Sequence, residues 1–253
     1  MMSKLLRPPI KLASAITLAL VMLISNSASV RAENSRRNSS SEPPPAPDTG
    51  TPKGEATPGT TRPQATCPHM SKPLTALVAN NGRDYTLSEH PSFWFYVPYA
   101  PNQISYMEFL LLDGKERRTI YRTAVKLTQK PGLIKVTIPS GLQYSFKLNE
   151  TYRWYFKVNC QVGRTDESDL VVDGWVRRQP RKFQMKNRIK VVQPSYKEND
   201  FWYDTITNLA QQHFSHPENR QFNQDWANLL EYLGYPWVVQ EPFANSVLLP
   251  PAD

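Results

Sequence analysis

The sequence predicts a mainly β protein: an antiparallel β-sandwich of about seven strands over residues 67–180, followed by a small C-terminal α-helical hairpin. Three observations carry this. Short runs rich in Val, Ile, Tyr, Phe, Trp and Thr recur from residue 74 onward, turn residues separate them at hairpin-like spacing, and helical periodicity begins only near residue 198.

The chain opens with Lys4, Arg7 and Lys11, then LASAITLALVMLI from Leu12 to Ile24. A positive leader before an apolar run too short to span a bilayer is the pattern of a secretory signal. Val30-Arg31-Ala32 supplies small residues at the cleavage positions, so residues 1–32 are expected to be removed after Ala32, leaving a secreted or periplasmic chain without a transmembrane segment. The net charge of +8 then falls to +4, because four basic and no acidic residues precede Glu33. That mild surplus gives no warrant for nucleic-acid binding. Residues 33–66 are rich in Ser, Pro, Thr and Gly and lack aromatic residues, Leu, Ile and Val, so they read as a disordered linker.

The strand candidates are Leu74–Ala79, Ser92–Tyr99, Ser105–Leu112, Thr119–Leu127, Gly132–Pro139, Thr151–Cys160 and Leu170–Gln179. Asn80-Asn81-Gly82, Asp113-Gly114 and Pro131-Gly132 are among the turns between them. In SFWFYV, Phe93, Phe95 and Val97 alternate with Trp94 and Tyr96, and Pro91 and Pro98 bracket the run as strand ends. The first set is expected in the sandwich core. The second is too apolar for a solvent face and is expected under the helical hairpin, although exposure of both rings would make them a platform for a partner. LNETYRWYFKV resembles the strand of fibronectin type III-like domains that carries a tyrosine corner, with Leu148, Thr151, Tyr152 and Trp154 in the corner positions. Cys67 and Cys160 are the only cysteines, and in an oxidising compartment they are expected to form a disulfide.

Beyond the sandwich, RRQPRKFQMKNRIK is basic with no acidic side chain, and residues 181–197 read as a connector. Arg177, Arg178, Arg181 and Lys182 are the candidate contacts to an anionic surface. Residues 198–235 hold the hairpin. In Glu198–His213, Trp202, Ile206, Leu209 and His213 share a face; in Asn219–Leu233, Phe222, Trp226, Leu229, Leu230 and Leu233 do so, with Gly234 as the stop. Residues 236–253 form a tail.

No catalytic constellation is found, and no cofactor or metal is expected. GxSxG, HExxH and phosphate-cradling glycine loops are missing from the sequence. His213 and His216 lie close together, but Pro217 interrupts the helix and no third ligand has zinc-site spacing. Asp166-Glu167-Ser168-Asp169 lacks the spaced ligands of a calcium loop. The tryptophans, Trp94, Trp154, Trp175, Trp202, Trp226 and Trp237, are expected to fill cores more than to stack on sugars. An enzyme would instead show a cleft of convergent polar groups, for example around His90 or Asp173.

CPHMSKPLTALVANNGRDYTLSEHPSFWFYVPY, FLLLD, TYRWYFKVNC, VDGWVRR, NDFWYDTITNLAQQ and DWANLLEYLG, in this order from Cys67 to about Gly234, resemble the cyanobacterial secreted proteins of domain-of-unknown-function family 928. The resemblance implies a cyanobacterial source and export, and brings no activity, cofactor or catalytic residue. The basic PRKFQMKNRIKVVQP departs from the charge-mixed segment of that pattern. The function expected is an exported, non-enzymatic binding or envelope-associated module whose partner is a protein or an envelope polysaccharide. The alternatives are a carbohydrate-binding or structural envelope protein and, less favoured, an extracytoplasmic hydrolase.

Overall fold

The structure, a computed structural model, describes residues 50–58, 67–160, 170–180 and 200–250. The protein is mainly β, with two helices near the C-terminus. Each of the seven strand candidates forms: β1 (Thr75–Ala76), β3 (Ser92–Val97), β4 (Tyr106–Asp113), β5 (Thr119–Leu127), β6 (Gly132–Thr137), β7 (Thr151–Asn159) and β8 (Leu170–Arg178). Two further strands are β2 (Tyr85–Thr86) and β9 (Ser246–Leu249). One sheet has the order β1-β3-β6 and the other β2-β8-β7-β4-β5-β9. All strand pairs are antiparallel except β2 with β8, so the larger sheet is mixed.

The core between the sheets follows from period-two alternation. Phe93, Phe95 and Val97 of β3 meet Met107, Phe109 and Leu111 of β4 and Trp154, Phe156 and Val158 of β7 in one buried cluster. Phe95 stacks on Phe156 with ring centroids 4.3 Å apart. The intervening β7 residues, Arg153, Tyr155 and Lys157, face outward, where the Arg153 guanidinium lies over the Tyr155 and Trp175 rings at 5.1 and 4.7 Å.

Both seams between the sheets are bridged by backbone. On one side Gly50–Pro58 runs as a strap: Ala76 of β1 donates its amide to Ala56, and Asp173 of β8 donates to Glu55. Gly54 has no room for a side chain, since a Cβ there would lie 2.3 Å from the Asp173 carbonyl oxygen. The linker expected over residues 33–66 therefore includes a stretch bonded to the folded body. On the other side Phe243 bridges Leu133 of β6 before the chain enters β9 beside β5. The Cys67–Cys160 disulfide ties the segment ahead of β1 to the residue after β7.

The tyrosine corner forms in part as expected. The Tyr152 hydroxyl accepts the Lys147 amide at 2.8 Å. Leu148, however, is 51% exposed, and Phe146 takes the packing role, stacked on Tyr152 at 4.0 Å.

Helices α1 (Trp202–Ser215) and α2 (Arg220–Leu233) form the hairpin. Helix α2 begins where Asn219 accepts the amides of Gln221 and Phe222, and ends at Gly234, whose φ of 83° suits a residue without Cβ. Trp202, Ile206 and Ala210 of α1 with Trp226, Leu229 and Leu230 of α2 pack over Leu77, Trp94, Tyr96 and Leu133. This second core lies on the far face of the three-stranded sheet. Tyr203 alone of the α1 residues belongs to the first core, where its hydroxyl accepts Trp154 Nε1–H at 2.7 Å and donates to the Trp175 carbonyl at 2.8 Å. Among the described residues no helix is long and apolar enough to cross a membrane.

Candidate functional site

Where α1 crosses the start of β3, the molecule holds a cleft of about 400 Å³. One wall is the β2–β3 loop with Ser88, His90 and Pro91, flanked by Thr86 and Ser92; the other is the outer side of α1. Asp204, Thr207, Asn208, Gln211 and Gln212 of α1 line that second wall. Positions i, i+4 and i+7 share a helix face, so the stripe is a direct result of helical pitch. The opposite face of α1 is apolar and buried.

Several lining groups are already engaged in holding the walls together. Asp204 Oδ2 accepts the Leu87 amide at 3.0 Å. Burial raises the Asp204 carboxyl above its ordinary value, while the Leu87 amide and the Thr86 hydroxyl pull it the other way. Ser88 Oγ accepts the His90 amide at 3.0 Å, and Thr207 Oγ1 accepts Trp94 Nε1–H at 3.1 Å. Ser92 Oγ and Thr137 Oγ1 share a hydrogen bond of 2.8 Å. His90 Nε2 lies 3.2 Å from Ser145 Oγ, and His90 Nδ1 is buried with no hydrogen-bond partner among the described residues. The side-chain amides of Asn208 and Gln211, which are exposed, and of Gln212, which is half-buried, make no hydrogen bond to the described residues and are open to the cleft.

A buried acid sits at the other end of this region. Asp84 accepts the Asn80 amide at 2.9 Å and the Thr51 hydroxyl at 3.3 Å, so it fastens the strap to the β1–β2 loop. Desolvation is the main influence and pushes its carboxyl up to about 6, against the pull of those hydrogen bonds.

The residues singled out from sequence are placed as follows. Trp94 and Tyr96 are 4% and 5% exposed, closed in under the hairpin, and offer no platform to a partner. Burial and the neighbouring Glu241 push the Tyr96 hydroxyl up to about 12. Arg178 is a structural residue rather than part of a free basic patch: its guanidinium donates to the Phe146 carbonyl and to Glu89 Oε1, each at 2.6 Å. Arg177 Nε donates to the Asn149 carbonyl at 3.2 Å. Arg181, Lys182 and the acidic run at 166–169 lie outside the described residues. Trp154, Trp202 and Trp226 are fully buried, Trp175 lies under Arg153, and Trp237 meets the Tyr96 ring edge-on with Lys72 over it. His213 bonds Asn223 at 2.7 Å and stacks on Trp226. Asp173 pairs with Arg153 at 2.6 Å. Among the described residues no group of three His, Cys, Asp or Glu side chains is arranged to hold a metal.

Sequence reasoning pointed to His90 as a place where a cleft would matter, but missed Asp204 and the amide row behind it. Their signal was present as a polar stripe, D-x-x-T-N-x-x-Q-Q, on an otherwise amphipathic helix.

Over residues 57–243 the chain matches the family described as Domain of Unknown Function (DUF928). The chain belongs to the DUF928 family. No curated protein and no solved structure matches it. The DUF928 match takes in the whole cleft, both helices and both cysteines, and leaves Gly50–Ala56 of the strap and β9 outside it.

Proposed function

We propose that this DUF928 protein is an exported, non-enzymatic accessory module that binds a ligand in the cleft between α1 and the β2–β3 loop. The observation that carries the reading is the set of solvent-facing polar groups on the cleft wall, Asn208, Gln211 and Gln212, on a body with two buried cores. Binding sites on folded modules are pre-formed concave surfaces with a few aimed polar groups. The signal-like N-terminus and the Cys67–Cys160 pair support export, since disulfides persist in oxidising compartments. A fibronectin type III-like origin for the sandwich is supported by the partition of β1-β3-β6 against β8-β7-β4-β5 and by the Tyr152–Lys147 corner.

The test is capture from envelope extract on immobilised mature chain beginning at Glu33, with an Asn208→Ala/Gln211→Ala chain as the control. The reading expects a polysaccharide or protein retained by the first and lost from the second. Equal retention on both would remove the cleft from the account.

A hydrolase is the second reading, favoured by His90, which lines the cleft with Asp204 and whose Nε2 lies beside Ser145 Oγ just outside the lining. Against it, the triad logic needs an acceptor that orients the second imidazole nitrogen, and His90 Nδ1 has none among the described residues. Asp204 instead anchors the Leu87 amide. Turnover of an ester or glycoside that disappears in His90→Ala would make this the primary reading.

A further inference from the structure

Resting on the cleft reading, we infer that the ligand is an uncharged, polyhydroxylated chain, a neutral saccharide, and that Asp204 rejects acidic sugars. The argument begins with what the free groups can do. A carboxamide donates and accepts hydrogen bonds at once. Asn208, Gln211 and Gln212 therefore present three two-way groups along one side of α1, all without partners among the described residues. A sugar hydroxyl is also a two-way group. A carboxylate only accepts and an ammonium only donates, so neither matches such a row.

Charge points in the same direction. Asp204 is the one carboxylate on the cleft wall, and no Lys or Arg lines it. An acidic sugar would bring a second negative charge into a partly desolvated space where no Lys or Arg meets it, which is repulsive; the His90 ring remains as a hydrogen-bonding group on the opposite wall. A peptide is a poorer match, because Pro91 and the buried Tyr203 are the apolar residues among those lining the cleft. From Asp204 to Gln212 the helix rises about 12 Å, enough for a short run of sugar units and consistent with the volume of the cleft.

The aromatic rings bear on the choice too. The Trp175 and Tyr155 faces lie against the Arg153 guanidinium, and Trp94 and Tyr96 are buried. Tyr232 and Phe243 are partly exposed, but they lie against Trp202 and against Trp94 and Phe214 and outside the cleft lining, so recognition within the cleft rests on hydrogen bonds and not on stacking.

The experiment follows the side-chain amide resonances of Asn208, Gln211 and Gln212 by NMR in the mature chain, titrated with cellotriose, N-acetylchitotriose, trigalacturonate and a capped alanine tripeptide. A neutral trisaccharide is expected to shift these resonances saturably, and Asn208→Ala/Gln211→Ala to weaken binding by about tenfold or more. Trigalacturonate is expected to bind about tenfold more weakly than the neutral chains, and Asp204→Asn to narrow that gap. An Asp204→Glu chain with unchanged melting temperature separates loss of charge from loss of the Leu87 anchor, and it should keep the discrimination. If trigalacturonate or the peptide shifts the same resonances at lower concentration than the neutral sugars, the ligand class is wrong while the cleft stands. If no probe moves them, or the double variant binds as well as the parent, the cleft itself is wrong.

Discussion

The two faces of β3 open onto different interiors. Phe93, Phe95 and Val97 enter a core whose walls are paired strands, and Phe93 contacts Phe109, Trp154 and Tyr203 rings within 5.9 Å. Trp94 and Tyr96 enter a core roofed by two helices and the turn around Val238. Polar handles differ as well. Trp94 Nε1 bonds Thr207, and Tyr96 is tied to Glu241, which also pairs with Lys72. Buried aromatic groups with a polar tip fix orientation as well as burying area. The first interior is thus located by strand register, and the second by a few side-chain hydrogen bonds that set the hairpin on the sheet. That setting also shapes the cleft, since Thr207 serves both.

The difference can be broken most directly in the first core. Phe95→Ala is expected to cost about 3–5 kcal/mol, enough to threaten the whole fold. Urea denaturation followed by near-UV and far-UV circular dichroism should show one early transition in both signals. Trp226→Ala removes comparable packing from the second core, about 3–5 kcal/mol, and sharpens the comparison. Hydrogen exchange should speed up across α1 and α2 while β4 and β7 stay protected. Equal loss of protection in both would mean one cooperative unit and no distinction between the interiors.

A smaller effect tests the strap beside them. Asp84 titrates at about 6 when folded against 3.8 in the reference state. A carboxyl with a raised folded pKa holds its proton more tightly when folded, so its contribution is greatest below about pH 4 and declines up to about pH 6. The decline is on the order of 3 kcal/mol. Asp84→Asn should flatten most of this window in melting curves taken between pH 3.5 and 7, leaving a residual slope of the same sign from Asp204. The smallest effect lies at the hairpin turn. Asn219→Ala removes the acceptor for two helix amides and should cost about 1 kcal/mol, read as a modest fall in melting temperature with cleft binding intact.

Much of this architecture was legible in the residues. Alternation in SFWFYV separated the two cores, and N-x-x…L-G placed α2 within one residue of its observed start. The parts that escaped are those without a repeating pattern. Strand β2 is two residues long and exists because the β8 edge accepts it in parallel. The strap carries no large apolar side chain and is held by hydrogen bonds, some between backbone groups and some to the side chains of Asn80, Asp84 and Asp173. Leu148 was expected in the corner, yet Phe146 fills it, because a strand-entry pattern does not fix which nearby apolar residue turns inward. The cleft joins residues 86–92 to residues 203–212, and only tertiary packing brings those two segments together.

The disulfide also sets where a pull on the chain ahead of β1 would meet a covalent link. Tension applied at Gly50 enters through the strap, whose hydrogen bonds to Gly82, Asn80 and Asp173 can open one after another. At Cys67 the load transfers through the covalent bridge to Cys160, at the end of β7, a strand bonded on both sides within the larger sheet. Under such a pull the strap's hydrogen bonds are expected to open before the covalent bridge, which would hold the segment ahead of β1 to the end of β7.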